Sequence, residues 1–187
     1  MKVNRTQMVK NRKKILSSSA KVFRERGFEG IGVADLMHEA GFTHGGFYNH
    51  FSSKEDLMTK VSAHCFNEKI LILNELKETF ADAPLKALVS IYLTPKHRDN
   101  PGSGCPLATL SVDVMRQSPA VKEAFTEGFS KFVTSLTDMV PGKIISAKRQ
   151  KALFTWSALM GAMILSRAVN DPKFSKEILS AVSKSIC

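Results

Sequence analysis

A cysteine at the predicted start of a helix is the residue of this sequence that is best placed for nucleophilic chemistry. Cys105 follows a glycine-rich loop and directly precedes Pro106. Because proline is favoured in the first turn of a helix, Cys105 is predicted to be the N-cap of the next helix. The helix dipole there would stabilise a thiolate and lower the pKa of Cys105, which makes this thiol a candidate sensor. The alternative is a small buried thiol that only packs. Cys65 and Cys187 have no comparable context.

Other arrangements that carry out chemistry are missing from the sequence. There is no Ser/His/Asp arrangement, glycine-rich phosphate loop or paired carboxylate, and the five histidines form no HExxH or CxxC pattern. We therefore predict no catalytic residues, no metal site and no cofactor. The cysteines form no spaced framework and no export signal precedes them, so reduced thiols and a cytoplasmic location are expected. A helical enzyme stays open as an alternative function.

The charge of the chain favours a polyanionic partner. Among 187 residues, 27 Lys and Arg against 17 Asp and Glu give a net charge of +10. Residues 1–14 contain six of these cations and no acid, which fits either a solvated tail or an arm that contacts DNA phosphates. The longest uncharged run, residues 152–166, is shorter than the roughly 18 apolar residues needed to span a bilayer. A membrane partner is therefore not expected.

Helical segments of unequal length must position these groups. In the first part of the chain, the periodicity predicts helices over residues 8–26, 33–40, 43–50 and 53–79. Gly27 ends the first helix, and Gly41 provides the sharp turn between the second and the third. Ser52 or Ser53 is the expected N-cap of the fourth. Two short helices joined by a tight turn with a glycine are typical of a helix-turn-helix.

The remainder of the chain also shows only helical periodicity, broken at prolines and at the loop before Cys105. Residues 118–140 form an amphipathic helix, whereas residues 144–169 are apolar nearly all round. Such a helix must be covered on both sides, by its own core and by something else. We predict an all-α fold, with an N-terminal three-helix helix-turn-helix domain in residues 1–60 and a larger helical domain in residues 61–187.

The segment from Gly27 to Leu57, GFEGIGVADLMHEAGFTHGGFYNHFSSKEDL, resembles the DNA-binding domain of the TetR family of bacterial transcriptional repressors. The resemblance extends over residues 10–60, and the motifs FYNHF at 47–51 and SKEDL at 53–57 carry most of it. At the start of the second helix the family usually has Ser or Thr, whereas this chain has Gly32. Glycine offers no hydroxyl to a phosphate, so only a backbone contact is expected there.

Four residues at the ends of the third and fourth helices have side chains suited to DNA contact. Asn49 can pair with adenine, and the Tyr48 hydroxyl can reach a phosphate or a base edge. Thr43 is the expected N-cap of the third helix, where free N–H groups bind phosphate, although capping alone would explain it. Lys54 places a cation in the first turn of a helix, where a phosphate contact suits it better than a structural role.

The third helix also carries predicted anchors and an unusual pair of glycines. Phe47 and Phe51 lie four residues apart and are expected to pack in the core. The resemblance implies that His44 and Gly45 face base pairs. Gly45 and Gly46 each cost a helix about 1 kcal/mol relative to Ala, which suggests close approach to a surface such as DNA. A poorly formed helix start is the alternative.

The resemblance implies a homodimer that binds a palindromic, double-stranded operator and is released by a small-molecule effector or an electrophile. A Gly-Cys pair at a comparable place occurs in family members that electrophiles inactivate. The expected dimer interface, with interior packing as the alternative, comprises Leu159, Met160, Met163, Ile178 and Val182. The candidate pocket or sensor residues, with plain core packing as the alternative, are Cys105, Phe125, Phe129 and Trp156. A transcriptional activator and a protein-protein adaptor also stay open.

Overall fold

The first four helical segments build the predicted helix-turn-helix. The structure is a computed structural model that describes residues 5–186. Its N-terminal segments are α1 (Arg5–Arg26), α2 (Val33–Glu39), the 3₁₀-helical recognition segment (His44–Asn49) and α3 (Lys54–Thr79). Gly27 and Gly41 have φ angles of +75° and +77°, so both turns use the left-handed backbone conformation that glycine adopts without strain. The predicted helix positions are confirmed.

The larger part of the chain is also entirely helical. Its helices are α4 (Pro84–Tyr92), α5 (Pro95–Asp99), α6 (Leu107–Val114), α7 (Pro119–Met139), α8 (Ile145–Ala168) and α9 (Pro172–Ile186). A single 3₁₀ turn, Pro101–Ser103, lies between α5 and α6 and is called the 101–103 turn below. Residues 5–186 contain no strand, so the all-α prediction is confirmed. Over the same residues, no helix has the length and apolar character that crossing a membrane requires.

The recognition segment is a 3₁₀-helix rather than the α-helix that the periodicity predicted. The Gly46 N–H donates to the Thr43 carbonyl at 3.0 Å, and the His50 N–H donates to the Phe47 carbonyl at 2.9 Å. Both bonds span three residues, as in a 3₁₀-helix. The segment is short and contains two glycines, so the α-helical conformation gains too little from propensity to form there.

The first hydrophobic core lies under the helix-turn-helix. Phe47 and Phe51 are fully buried in it, which confirms their predicted role as anchors. The same core includes Leu110 and Val114 of α6 and Val121 of α7. Moreover, α3 continues without a break past residue 60. The predicted domain boundary therefore falls inside one helix, and the core beneath the helix-turn-helix is completed by residues of the larger part.

The second hydrophobic core lies between α3, α4, α7, α8 and α9. Gly128 of α7 faces the Phe66 ring of α3, and the ring occupies the space that a Cβ at position 128 would need. Helices α3 and α7 therefore pack against each other at close range. Trp156, Leu159 and Met163 of α8 are at most 3% exposed and fill its centre.

Candidate nucleic-acid interface and cavity

The recognition segment and its N-cap carry most of the predicted DNA contacts, and they are exposed. The exposed predicted contacts are Thr43, His44, Gly45, Tyr48 and Asn49. Tyr48 is 67% exposed although it is aromatic, while the adjacent Phe47 is fully buried. The two rings meet edge-on at 5.3 Å, so the buried ring supports the exposed one. This geometry presents an aromatic hydroxyl to a partner from a rigid base.

Two cations of α1 hold the ends of the recognition segment, a role that the sequence analysis missed. Arg12 donates a hydrogen bond to the His50 carbonyl, and its guanidinium lies 4.8 Å above the Phe51 ring. The Lys14 ammonium lies 5.3 Å from the Phe42 ring in the preceding turn. The predicted basic arm is thus helical from Arg5 onwards. Its remaining cation, Lys2, lies outside the described residues.

Packing within the chain does not explain the Gly45-Gly46 pair. At Gly45, no heavy atom lies within 4 Å of the position that a Cβ would take. At Gly46, the nearest atoms belong to Met37 at 3.7 Å and Thr43 at 3.8 Å, which are ordinary contacts. Thr43 is the N-cap, as predicted, but its hydroxyl makes no capping hydrogen bond. An external surface that approaches this backbone would account for both glycines.

Lys54 has a partner within the chain, which the sequence analysis did not foresee. Its ammonium lies 3.5 Å from a carboxylate oxygen of Glu29, in the loop between α1 and α2. The Gln117 amide donates to the other oxygen of Glu29 at 3.1 Å. The hydrogen bond from Gln117 and the charge of Lys54 lower the pKa of Glu29, so this carboxylate stays ionised. A phosphate at Lys54 would compete with Glu29.

A cavity of about 170 Å³ lies beside the second core. It is lined by Lys69, Ile72, Leu73, Leu88, Ile91, Tyr92, His97, Ser103, Cys105, Phe132 and Trp156. Of the predicted pocket residues, Cys105 and Trp156 line this cavity, but Phe125 and Phe129 do not. Their rings lie 5.1 and 6.4 Å from the Phe66 ring, between α3 and α7.

The predicted activation of the Cys105 thiol is wrong. The N-cap of α6 is Pro106, one residue later than predicted, although the thiol still faces the N–H groups of Leu107 and Ala108. Cys105 is 3% exposed, and burial raises the pKa of its thiol more than these N–H groups lower it. The dipole of a short helix does not offset the loss of hydration. Cys105 is therefore a neutral thiol at neutral pH.

His97 does not act as a base toward Cys105, because both of its ring nitrogens are occupied. The Cys105 N–H donates to Nε2 at 3.0 Å, and Nδ1 lies 2.8 Å from the Tyr92 carbonyl. Since the carbonyl can only accept, Nδ1 carries the proton and the imidazole is neutral. Burial is the main cause that lowers the pKa of His97, and the charges of Arg167 and Lys69 lower it further. His97 thus fixes the loop that carries Cys105.

Comparison with known proteins assigns the helix-turn-helix. The family model of bacterial regulatory proteins, tetR family, matches residues 15–61, which cover the second half of α1, all of α2 and the recognition segment, and the start of α3. Residues 15–61 form a domain of the tetR family. The match includes the exposed recognition segment and both of its phenylalanine anchors, whose positions in the structure are described above.

Relatives of this chain include named regulators. It is 28% identical over 122 residues to the HTH-type transcriptional repressor DhaR of Mycobacterium sp. (strain GP1), an alignment that covers 65% of this chain and 61% of DhaR. It is 30% identical over 92 residues to the uncharacterized HTH-type transcriptional regulator YfiR of Bacillus subtilis, covering 49% of this chain and 43% of YfiR. The chain thus spans less than two thirds of the length of these two relatives.

Solved structures share the fold over nearly the whole chain. The reduced form of E. coli NemR superposes with a TM-score of 0.79 at 21% identity, covering 95% of both chains. A TetR-family transcriptional regulator from Agrobacterium tumefaciens superposes with a TM-score of 0.78 at 19% identity, covering 96% of both chains. At 19–21% sequence identity, the similarity between this chain and these structures concerns the fold alone.

The loop that carries Cys105 also contacts the helix-turn-helix. Arg24 of α1 donates to the Gly102 carbonyl in the 101–103 turn at 2.7 Å and to the Cys65 sulfur at 3.2 Å. The Glu25 side chain packs so closely on Gly102 that a Cβ there would collide with it. The 101–103 turn thus connects the cavity wall to α1.

The C-terminal end of α6 and the start of α7 make further contacts with the helix-turn-helix. An Asp113 carboxylate oxygen accepts a hydrogen bond from the Phe28 N–H at 3.0 Å, just after the turn at Gly27. The Ser118 hydroxyl donates to the Glu55 carboxylate at the first turn of α3. The C-terminal end of α6 and the N-terminus of α7 are therefore both tied to the helix-turn-helix.

The predicted dimer residues do not share one surface. Leu159 and Met163 have 0% exposure in the single chain, so they lie in its own core and have no surface to offer a partner; the prediction is corrected at both positions. Met160, Ile178 and Val182 are half-buried against the same core. The exposed large apolar side chains on the described parts of α8 and α9 are instead Ile145, Leu153, Phe154, Ile164, Leu165 and Phe174.

Proposed function

We propose that this TetR-family regulator is a homodimeric repressor that binds a palindromic operator through its recognition segment and leaves it when a small molecule occupies the cavity. The observation that carries the proposal is the pairing of an exposed Tyr48 with a buried Phe47 in the recognition segment. A rigidly anchored segment with exposed polar groups is what base readout requires. The net charge of +10 supports attraction to phosphates.

Dimerisation is supported by an apolar strip on the last two long helices. Phe154 is 70% exposed, Leu165 57% and Phe174 49%. Between them on α8, the Cβ position of Gly161 has no neighbour within 4 Å, so a partner helix can approach closely. A single helix-turn-helix reads too few base pairs for a specific site, whereas a twofold dimer reads two half-sites.

Release from DNA is supported by the contact between the cavity loop and α1. His97, the 101–103 turn and Cys105 form a continuous wall of the cavity, and Arg24 bonds the middle of that turn to α1. A ligand that prefers a shifted wall would favour a dimer whose recognition segments no longer match two half-sites. The ligand then acts through its differential affinity for the two arrangements.

A thiol-dependent release is the second candidate, because Cys105 lines the same cavity. Burial keeps the thiol protonated, so a rapid reaction with an electrophile is not expected at neutral pH. To distinguish thiol-dependent release from release by a non-covalent ligand, the wild type and Cys105→Ser are treated with iodoacetamide. Their operator binding is then measured. Loss of binding in the wild type alone would support a sensor thiol, and equal retention in both would favour the non-covalent ligand.

The test of the main proposal is selection of bound sequences from random duplex DNA at near-physiological salt. Enrichment of a palindrome is expected, with affinity that falls steeply as salt rises. Tyr48→Ala should reduce the affinity, whereas Phe80→Ala, at an exposed aromatic near the far end of α3, should not. If no sequence is enriched even at low salt, operator binding is refuted. A protein-protein adaptor or an enzyme would then be the favoured function.

A further inference from the structure

The cavity contains a cation that lacks a partner. Lys69 of α3 is half-buried and lines the cavity, yet its ammonium makes no hydrogen bond or ion pair with any described residue. The neighbouring acid, Glu68, is 3.4 Å from His64 instead. No acidic side chain lines the cavity, and the charge of Arg24 repels Lys69 while that of Glu68 attracts it. A half-buried cation without an anion is a cost that an anionic ligand would relieve.

Two buried polar groups beside Lys69 also lack partners. Trp156 is 3% exposed, and its indole N–H has no hydrogen-bond acceptor among the described residues. Tyr92 is 6% exposed, and its hydroxyl lies next to the Cys105 sulfur but in no well-directed hydrogen bond. Burial raises the pKa of Tyr92 well above 10, so the hydroxyl is a donor at neutral pH. Lys69, Trp156 and Tyr92 can each donate a hydrogen bond to an acceptor. The Trp156 N–H and the Lys69 ammonium can only donate and cannot accept.

The rest of the cavity is apolar and has the size of an aromatic ring. Its walls include Leu73, Leu88 and Phe132, and the Phe132 and Trp156 rings lie 4.5 Å apart at an angle of 60°. The volume of 170 Å³ compares with the roughly 150 Å³ that accommodates benzene in an apolar cavity. A planar ring can pack against these edges, and a larger ring system would not fit without movement of the walls.

The cavity opens to solvent past polar groups. A wider surface depression of about 580 Å³ shares Ile91, His97 and Ser103 with the cavity and adds Lys96 and Asn100. A ligand can therefore enter from this side, and the Lys96 ammonium at the rim attracts an anion. A dianion would lose more hydration than one lysine can replace, so a single negative charge fits best.

We propose that the cavity binds a small aromatic monocarboxylate, with its ring against Phe132 and Trp156 and its carboxylate at the Lys69 ammonium. This proposal rests on the proposed function only where it calls the ligand the effector. Binding of the ligand to the cavity is measured without DNA and does not depend on that function. Trp156 is the single tryptophan of the chain, so its fluorescence reports occupation of the cavity directly.

The experiment titrates the full-length protein with benzoate and with benzamide, which has the same shape but no charge. Saturable change of the Trp156 emission is expected for benzoate, with an affinity at least about tenfold higher than for benzamide. Lys69→Met should remove this preference while Lys131→Met, at an exposed lysine of α7, should keep it. Thermal unfolding of both variants checks that they are folded. If Lys69→Met does not fold, Tyr92→Phe replaces it and should weaken benzoate binding.

Other outcomes overturn the proposal. Equal affinity for benzoate and benzamide would show that charge does not matter, and no saturation by either up to about 10 mM would exclude this ligand class. Operator binding with and without benzoate is measured separately. Benzoate binding without an effect on operator affinity would leave the site intact and refute its role in release, whereas absence of operator binding would refute the proposed function and leave the cavity result unaffected.

Discussion

The Arg24 guanidinium donates a 2.7 Å hydrogen bond to the carbonyl of Gly102. Arg24 belongs to the helix that anchors the recognition segment through Arg12, and Gly102 belongs to the turn before Cys105 in the cavity wall. A displacement of the wall must therefore either break this bond or move α1. Coupling between sites requires such a contact with two arrangements, and this bond joins the cavity wall directly to the helix-turn-helix.

Replacement of Arg24 by Gln should uncouple the cavity from DNA. We expect operator DNA to change the Trp156 emission of the wild type, because coupling between two sites is reciprocal. In Arg24→Gln the change should be mostly lost, while operator affinity stays within about fivefold. Arg26→Gln is the control, since Arg26 pairs with the exposed Glu39 at 3.4 Å and not with the cavity wall. A full emission change in Arg24→Gln would show that the coupling runs elsewhere.

The pair Lys54–Glu29 should restrain DNA binding. If Lys54 contacts a phosphate, Glu29→Gln removes its competing partner and should raise operator affinity, whereas Lys54→Met should lower it. Lys54→Met should also reduce the slope of log affinity against log salt by about 1, because one phosphate contact is lost. Filter binding or fluorescence anisotropy at several salt concentrations measures both. An unchanged slope would show that Lys54 serves only the loop before α2.

Gly45→Ala should weaken operator binding without harming the fold. The space around a Cβ at position 45 is empty and the backbone is not left-handed, so the free energy of unfolding should stay equal or rise by up to about 1 kcal/mol. Close approach of DNA would then be blocked, and affinity should fall about tenfold or more. Gly46→Ala is the matched control, because its added methyl group points at Met37 within the protein. Equal operator affinity in both variants would exclude close backbone contact at Gly45.

Leu165→Glu should dissociate the proposed dimer. Leu165 is 57% exposed in the single chain, so the substitution leaves the core intact but places a charge in an apolar interface. Sedimentation equilibrium should show a dimer for the wild type and a monomer for the variant at micromolar concentration. Ile91→Glu, at a 49% exposed side chain on α4, tests whether any exposed charge has the same effect. A monomeric wild type would refute the dimer.

Acid should destabilise the fold through His97. Burial lowers the pKa of His97 below its usual 6.5, so the unfolded chain takes up the proton first as the pH falls. The free energy of unfolding should therefore be highest above pH 6.5 and decrease as the pH falls from about 7 towards 5. His50, whose pKa is also lowered by burial and by Arg12, contributes in the same direction. Urea unfolding at several pH values should give a shallower decrease in His97→Gln, and an unchanged decrease would assign the effect to other groups.

Local features of the sequence determined the helix-turn-helix. The helix ends at Gly27 and Gly41, the anchors Phe47 and Phe51, and the cap at Ser53 all depend on neighbours within a few residues. Periodicity and turn residues record such short-range requirements directly, so the all-α fold and the order of its first four helices followed from them. The two adjacent glycines also singled out the recognition segment, but they did not predict its 3₁₀ geometry.

Only the tertiary structure decided which groups are paired, buried or charged. The sequence predicted an activated thiol at Cys105 from its place before a helix, but desolvation by distant side chains outweighs the local helix dipole. It placed Leu159 and Met163 at a dimer interface, although α8 buries both side chains in the core of its own chain. The unpartnered Lys69 could not be recognised either, because a missing partner is a property of all the residues that pack around it. Such features depend on contacts between segments far apart in the chain, and spacing along one segment does not encode them.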